Sequence, residues 1–323
     1  MRGAECLRHR RAPDPMEKRR IGSLQVAVVG LGCNNFGRKL DFKGTSLVVD
    51  AAIDAGIDLF DTADIYGGTK SEEFLGGALG PRRSQVNIAT KFGMQVDDKR
   101  QGAHPAYVRQ AAEDSLKRLG TDYIDLYYLH KPDPSVPIAD TLGALDELVR
   151  AGKVREIGCS QFSAAQLREA QSAAPNDAAH FVVVQNDYSL SDREAEREVI
   201  PECVRSRIAF VPFFPLANGL LTGKYRLGQP APAGSRIGSG WHGELFTDKN
   251  LVVVERLMRF AESRGHTMLE LAISWLASHE VVASVIAGAT SPDQVRANAA
   301  AASWRLTSAE MAEVDAIVPA SAP

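Results

Sequence analysis

The sequence has little of what would assign it to a membrane, secreted or nucleic-acid-binding class. No stretch reaches the roughly 18 consecutive apolar residues of a membrane-spanning helix, so no transmembrane segment is predicted. A net charge of −3 and a pI near 6.2 provide no basic field for nucleic acid or an anionic membrane surface. The cysteines Cys6, Cys33, Cys159 and Cys203 form no C-x-x-C pair, which favours free thiols and a cytoplasmic location. Chemistry on a small molecule fits these absences best.

The N-terminal residues 1–15 lack the apolar core of a secretory signal, although they are rich in arginine. We expect a disordered extension here, or a start codon placed upstream of a natural beginning at Met16. An arginine-rich transit peptide is the other interpretation. Residues 16–323 are then predicted to form one large α/β domain.

The rest of the chain alternates between short Val/Ile/Leu-rich runs and amphipathic segments. The eight runs are residues 25–31, 57–61, 86–91, 123–130, 154–160, 181–185, 208–214 and 282–288. Helices are predicted at about 45–55, 105–119, 138–151, 164–173, 193–204, 251–264, near 268 and at 292–301. Eight such strand–helix units predict a (β/α)8 TIM barrel, with a doubly wound open sheet as the alternative. The Gly/Pro-rich segment 217–246 predicts a long functional loop after the seventh strand, and two additional helices follow it.

Four polar residues stand at the C-terminal ends of neighbouring runs: Asp61, Tyr66, Lys91 and His130. If the runs are parallel strands, all four project into one mouth of the barrel. A phenol has a pKa near 10 and is a poor acid at neutral pH, unless a nearby cation such as Lys91 favours the phenolate. Asp61 is the expected anionic partner of that lysine, and His130 can orient a carbonyl group. The pattern therefore predicts a proton donor facing a carbonyl oxygen.

Motifs for covalent or metal-dependent catalysis are missing. The chain contains no G-x-S-x-G and no H-E-x-x-H motif, and neither an activated cysteine nor a metal site is indicated. A proton donor without a nucleophile implies that another group attacks the carbonyl carbon. Hydride from a nicotinamide is the obvious candidate.

At this point the chain resembles the aldo-keto reductase superfamily over residues 20–318. The segments that carry the resemblance are 30–32 (GLG), 61–67 (DTADIYG), 89–93 (ATKFG), 126–130 (LYYLH), 152–160 (GKVREIGCS), 185–189 (QNDYS) and 220–225 (LLTGKY). The resemblance implies the barrel, an NAD(P)H molecule extended across its mouth, and the tetrad Asp61, Tyr66, Lys91 and His130 with Tyr66 as the acid.

The resemblance also implies a set of cofactor contacts. Ser160, Gln161 and Gln185 would hold the nicotinamide carboxamide, although the family usually has asparagine where Gln161 stands. Phe213 would stack on the nicotinamide, whereas Phe214 replaces the usual serine. The full set is Gly32, Cys33, Asn34, Asp61, Ser160, Gln161, Gln185, Phe213, Pro215, Leu216, Lys224, Arg236, Gly288, Thr290, Gln294 and Asn298.

At the adenine end, the segment 288–298 opens a helix whose backbone donors favour phosphate. Ala297 departs from the glutamate that family members often carry for the adenine amine. Lys224 matches a family lysine that contacts the 2′-phosphate, and Arg236 is a looser match. The resemblance therefore implies NADPH rather than NADH. For Arg236 the competing interpretation is a solvated loop residue.

The substrate is expected to be a small-molecule carbonyl compound bound by loop residues. Asn34, Asn35, Phe36, Phe92 and Trp241 are predicted to line its pocket. Trp241 could instead anchor the long loop to the barrel. Neither the physiological substrate, the favoured direction of reaction nor the oligomeric state follows from the sequence.

Two other functions remain open at this stage. One is a nicotinamide-binding regulatory subunit resembling the potassium-channel β-subunits, which look to have asparagine where this chain has His130. The other is a lyase or isomerase that uses Lys91 as a Schiff base, which requires this lysine to be free of Asp61.

Overall fold

The computed structural model describes residues 16–240 and 242–319 of the chain. The expected extension 1–15 with Cys6, and the predicted pocket residue Trp241, lie outside the described residues. Cys33, Cys159 and Cys203 are free and buried. Among the described helices, none is long and apolar enough to cross a membrane.

The described chain begins with an antiparallel hairpin of strands β1 (Lys18–Ile21) and β2 (Leu24–Ala27). The sequence predicted one strand over 25–31, but the chain turns between β2 and the first barrel strand. The side chains of Ile21, Leu24 and Val26 are buried in the barrel interior, against the other members of one apolar cluster. Those members are Leu59, Ala89, Leu126, Tyr128, Val183, Val211, Ala283 and Ile286. The hairpin thus closes the end of the barrel at which the strands begin, because Ala27 N donates to Asp58 Oδ1, just before the second barrel strand.

Eight parallel strands form the barrel in the described part of the chain. They are β3 (Val29–Gly32), β4 (Leu59–Asp61), β5 (Asn87–Phe92), β6 (Ile124–Leu129), β7 (Val154–Ser160), β8 (Phe181–Asp187), β9 (Ala209–Phe213) and β10 (Val285–Gly288). Strand β10 pairs with β3. The ring closes because Phe210 N donates to Val281 O at 2.8 Å and Ala283 N donates to Phe210 O at 2.9 Å. The predicted (β/α)8 barrel is confirmed, and the alternative of an open sheet is wrong.

Ten α-helices in the described residues surround or follow this barrel. They are α1 (Phe42–Asp54), α2 (Lys70–Leu79), α3 (Pro105–Leu119), α4 (Ile138–Arg150), α5 (Ala164–Ala173), α6 (Val199–Ser206), α7 (Asp248–Glu262), α8 (Met268–Ala277), α9 (Pro292–Ala300) and α10 (Ser308–Ile317). Helices α7 and α8 are the predicted additional pair before the last strand. The larger apolar cluster lies between the strands and the helical layer.

Several helix boundaries differ from the prediction. Helix α1 begins at Phe42, before the predicted start at about 45, because the Asp41 carboxylate caps it by accepting from Gly44 N at 2.8 Å. Residues 193–204 divide into a 3₁₀ turn (Glu194–Glu196) and α6.

Helix α2 was not predicted, since it is short and contains two glycines. At Gly76 a Cβ would lie 2.2 Å from Leu119 O, so glycine permits close packing of α2 on the end of α3. Helix α10 was also not predicted.

In its described residues, the long segment after β9 contains three short 3₁₀ turns and no α-helix. They are Ala217–Thr222, Ile237–Ser239 and Gly243–Leu245. Arg236 Nη2 donates to Asn35 Oδ1 at 3.4 Å, which joins this segment to the loop after β3. The segment therefore lies at the end of the barrel opposite the hairpin, where the strands end.

One arginine joins the hairpin to helix α8. Arg19 donates to the carbonyl oxygens of Ala277, His279 and Val282 at 2.5, 3.1 and 2.6 Å. Replacing Arg19 with methionine removes these bonds and leaves the carbonyl groups of Ala277 and Val282 without this donor, whereas His279 O still accepts from Val282 N. We expect the free energy of unfolding to fall by about 1.5–3 kcal/mol in urea titrations. Arg20→Met in the same strand alters an exposed side chain and serves as the control. Equal losses in the two variants would contradict the role of Arg19.

Candidate active site

The tetrad predicted from the sequence converges at the C-terminal end of the barrel. Asp61 ends β4, Lys91 lies near the end of β5, and His130 directly follows β6. Tyr66 lies in the loop between β4 and α2, and its ring contacts His130 edge-on at a centroid distance of 5.9 Å. Because adjacent parallel strands end at the same edge, residues far apart in the chain share one site.

Lys91 and Asp61 form a buried ion pair beneath Tyr66. Lys91 is fully buried; its Nζ contacts Asp61 Oδ1 and donates to Thr62 O at 2.8 Å. Burial alone would lower the pKa of Lys91, but Asp61 and Tyr66 outweigh this effect and raise it. The amine is therefore a paired ammonium at neutral pH. A Schiff-base mechanism needs a free amine, so this geometry argues against the lyase or isomerase alternative.

The Tyr66 hydroxyl differs from the sequence expectation in one respect. Burial raises the pKa of Tyr66, Lys91 lowers it through its charge, and the net pKa lies above the ordinary value. The expected influence of the cation is present, since Lys91 Nζ lies 5.2 Å from the centroid of the phenol ring. Burial outweighs it, so the phenol stays protonated at neutral pH and retains a proton to donate.

His130 is neutral in this site. Burial lowers its pKa to about 3, and the charges of Lys91 and Lys131 act in the same direction. The Nδ1 atom of His130 is buried without a hydrogen-bond partner among the described residues. A neutral imidazole can donate a single hydrogen bond from one nitrogen, which suits the orientation of a carbonyl oxygen.

A cavity of about 690 Å³ opens over the tetrad. Tyr66, His130 and Asp61 line one part of it, whereas Lys91 lies below its surface. Every residue that the resemblance assigned to the cofactor lines this cavity. Lining residues that were not predicted include Lys39, Asn218, Ser235 and Leu269. They come from the loop after β3, the long segment and the first turn of α8; in the two loops a single sequence carries no periodic signal that could identify them.

Two of the predicted substrate residues do not line the cavity. Phe36 and Phe92 are fully buried in the apolar cluster between strands and helices. Side chains alternate along a strand, so Phe92 must point away from the barrel axis when Lys91 points toward it. Phe92 packs instead on Tyr127 with a centroid distance of 4.8 Å. Asn34 and Asn35 do line the cavity, and Asn35 Nδ2 donates to Ala289 O at 3.2 Å.

Both amide side chains predicted to face the nicotinamide, those of Gln161 and Gln185, bind protein groups in this structure. Gln161 has a positive φ of 61°, and its Nε2 donates to His130 O at 3.0 Å. Gln185 Nε2 donates to Asp61 Oδ2 at 2.8 Å. The extra methylene of Gln161, relative to asparagine, lets it reach the neighbouring strand end. Phe214 also has a positive φ, 52°, and contacts Phe213 edge-on at 5.1 Å.

The cavity lining also includes a basic cluster of Lys39, Lys224 and Arg236. Partial burial lowers the pKa of Lys39, and Arg236, Arg38 and Lys224 lower it further. Every charged group that shifts the pKa of Lys39 is thus a cation. Burial and Arg38 likewise lower the pKa of Arg236. Cations that repel one another at a cavity wall favour a bound anion.

The cavity wall also contains polar atoms that suit a polar ligand. Asn34 Oδ1, His130 Nδ1 and Asn218 Oδ1 are buried without a hydrogen-bond partner in the described residues. Nearby, Ser291 caps α9 and Thr290 N donates to Gln294 Oε1 at 2.8 Å, so the first turn of this helix faces the cavity. Unpaired buried polar groups and a helix N-terminus beside a basic cluster fit an elongated phosphate-bearing cofactor.

Comparisons with known proteins agree with this geometry. The model of the aldo/keto reductase family matches residues 28–319. A probable aldo-keto reductase 1 from Glycine max is 34% identical over 305 residues, covering 91% of this chain and 86% of that protein. A probable voltage-gated potassium channel subunit beta from Arabidopsis thaliana is 35% identical over 298 residues, covering 88% of this chain and 90% of that protein.

Among solved structures, the glycerol dehydrogenase AKR11B4 from Gluconobacter oxydans superposes with a TM-score of 0.81 and 29% sequence identity. The match covers 93% of this chain and 94% of that one. Family model, sequence relatives and structure all span nearly the whole barrel. The chain therefore belongs to the aldo/keto reductase family of oxidoreductases.

Proposed function

We propose that this protein reduces aldehydes and ketones to alcohols with NADPH, using Tyr66 as the general acid. The observation that carries the proposal is the placement of Tyr66 and His130 on the wall of the cavity, directly above the buried Lys91–Asp61 pair. When bound, NADPH supplies a hydride to the carbonyl carbon.

The protein groups then have separate tasks. The Tyr66 hydroxyl donates its proton to the carbonyl oxygen, which completes the alcohol. The Lys91 ammonium stabilises the phenolate that Tyr66 becomes, since an opposite charge nearby favours the ionised form. Asp61 keeps Lys91 protonated and in place. Neutral His130 donates a hydrogen bond that orients the carbonyl oxygen toward Tyr66.

The basic cluster supports NADPH over NADH. NADPH carries a 2′-phosphate that NADH lacks, and Lys39, Lys224 and Arg236 supply positive charge at one part of the cavity. Ion pairs with a phosphate are stronger than neutral hydrogen bonds. Lys224 and Arg236, from the long segment, are the residues that we assign to this phosphate.

The Lys224→Ala variant tests the assignment. We expect the Kd for NADPH to rise roughly 10- to 100-fold, the usual effect of losing a hydrogen bond to a charged group, while the Kd for NADH stays nearly unchanged. Quenching of protein fluorescence gives both values. Lys249→Ala removes an exposed lysine of α7 and is the matched control. An unchanged ratio of the two Kd values would show that Lys224 does not contact the 2′-phosphate.

The reaction itself is tested with a panel of carbonyl compounds and purified protein, following NADPH oxidation by absorbance. The panel should contain aromatic aldehydes, because Phe213 and Phe214 line the cavity. It should also contain short hydroxyaldehydes and hydroxyketones, because a similar structure is that of a glycerol dehydrogenase. Absence of turnover with every member, despite NADPH binding, would contradict the proposed reaction.

A second candidate function is that of a channel-associated regulatory subunit, favoured by the likeness to the probable potassium channel subunit beta. Such a role needs cofactor binding but no rapid turnover. The complete tetrad, with His130 beside Tyr66, favours an enzyme. Tight NADPH binding combined with negligible reduction of reactive aldehydes would favour the second candidate.

A further inference from the structure

A fully buried glutamate lies directly behind the active site. Glu72 is in the first turn of α2, six residues after Tyr66, and its side chain has no exposed surface. Its Oε1 accepts from Thr90 Oγ1 at 2.6 Å, and its Oε2 accepts from Arg118 Nε at 2.6 Å. Removing a carboxylate from water is costly unless it is paired and hydrogen-bonded. Both oxygens of Glu72 are used in this way, and neither partner belongs to the tetrad.

Thr90 is the residue that immediately precedes Lys91 in β5. Because successive side chains of a strand point to opposite faces, Thr90 points toward the helical layer while Lys91 points into the barrel. The bond from Thr90 to Glu72 therefore holds the strand from outside at the position where Lys91 reaches inward. The backbone of Lys91 is held as well, since Asp64 N donates to Lys91 O at 3.2 Å.

The same turn of α2 holds the loop that carries Tyr66. Ser71 N donates to Tyr66 O at 3.2 Å, and Ser71 Oγ is hydrogen-bonded to Thr62 Oγ1 at 2.8 Å. Thr62 O in turn accepts from Lys91 Nζ at 2.8 Å. Ser71 thus holds the loop that carries Tyr66, and the adjacent Glu72 holds the strand that carries Lys91.

We propose that Glu72 is a positioning residue for catalysis: clamped by Arg118, it holds Thr90 and so sets the distance of the Lys91 ammonium from the Tyr66 hydroxyl. This inference rests on the proposed roles of Tyr66 and Lys91. Electrostatic stabilisation of the phenolate falls as the separation increases. Loosening β5 at Thr90 therefore makes Tyr66 a weaker acid, without removing any group that touches the substrate.

Other ionisable groups face Glu72. They are Arg118 of α3, Asp64 of the Tyr66 loop and Tyr127 of β6. Burial and the charge of Glu72 raise the pKa of Asp64 to about 7, and Arg118 opposes this shift. The pKa of Tyr66 lies above the ordinary value of a phenol, near 10, so titration of Asp64 occurs in a separate pH range.

The test compares Thr90→Val with Thr90→Ser. Valine has the shape of threonine but lacks the hydroxyl, whereas serine retains the bond to Glu72. We expect Thr90→Val to lower kcat roughly two- to tenfold, as for one lost hydrogen bond, and to move the alkaline limb of the reduction profile to higher pH. Thr90→Ser should restore both values. Glu147→Gln breaks the exposed ion pair with Arg109 and is the control for loss of a carboxylate.

A measurement without turnover separates this inference from the proposed function. In protein labelled with carbon-13 tyrosine, the signal of Tyr66 is assigned by its absence in Tyr66→Phe. We expect its titration midpoint to rise in Thr90→Val and in Glu72→Gln, and to stay unchanged in Thr90→Ser and Glu147→Gln. An unchanged midpoint in folded Thr90→Val would overturn the inference, even if kcat falls. Failure of the wild-type protein to reduce any carbonyl compound would instead overturn the proposed function.

Discussion

Replacement of Tyr66 by phenylalanine should lower kcat for carbonyl reduction by roughly 10²- to 10⁴-fold, the usual contribution of a general acid. The aromatic ring remains, so packing against His130 is retained, and only the hydroxyl that carries the transferable proton is lost. NADPH affinity, measured by fluorescence quenching, should change little, because the hydroxyl is assigned to the substrate and not to the phosphates.

The matched control is Tyr123→Phe. Tyr123 precedes β6 at the opposite end of the barrel and stacks under Arg83 at 4.1 Å, so its hydroxyl is remote from the cavity. We expect kcat near the wild-type value for this variant. Turnover by Tyr66→Phe within a few-fold of wild type would exclude Tyr66 as the proton donor.

Lys91→Met should produce the largest loss of stability. It leaves the carboxylate of Asp61 buried at 3% exposure without its cation, and breaking a buried pair in this way costs about 3–5 kcal/mol. Urea titration measures the change. The double variant Asp61→Asn/Lys91→Met removes both charges and should recover much of the loss. Equal destabilisation of the single and double variants would contradict the burial argument.

The same variants separate stability from catalysis. The double variant should fold yet remain inactive, because it lacks the cation that stabilises the Tyr66 phenolate.

Stability should also respond to pH in a defined direction. The folded pKa of Lys91 is raised, so the pair's contribution is complete below the ordinary lysine pKa near 10.4 and is lost as pH rises through the folded value. In Lys91→Met this alkaline loss should disappear.

The location of three site residues at one end of the barrel was predictable from the sequence, because parallel strands impose a simple rule. A polar residue at the C-terminal end of an apolar run must lie at the mouth of a barrel, and Asp61, Lys91 and His130 all follow this rule. The assigned cofactor residues line one cavity for the same reason, since they lie on strand ends and on the loops that leave them.

Predictions failed where the direction of a side chain mattered. Phe92 is next to Lys91 in sequence, yet the alternation of strand side chains places it among the helices. Phe36 lies in a loop, where no periodicity indicates direction, and it is fully buried. The short helix α2 was missed because its glycines reduce helix propensity, whereas the tertiary fold uses Gly76 for close packing on α3.

The sequence by itself determined the barrel and the identities of its chemical groups, because apolar periodicity and strand-end placement are local properties of the chain. Only the tertiary structure decided how those groups behave. Burial raises the pKa of Tyr66 despite Lys91 and keeps His130 neutral. The fold also places Glu72 within hydrogen-bond distance of Thr90 and Arg118. These effects depend on desolvation and on distances between residues remote in sequence, which no local pattern encodes.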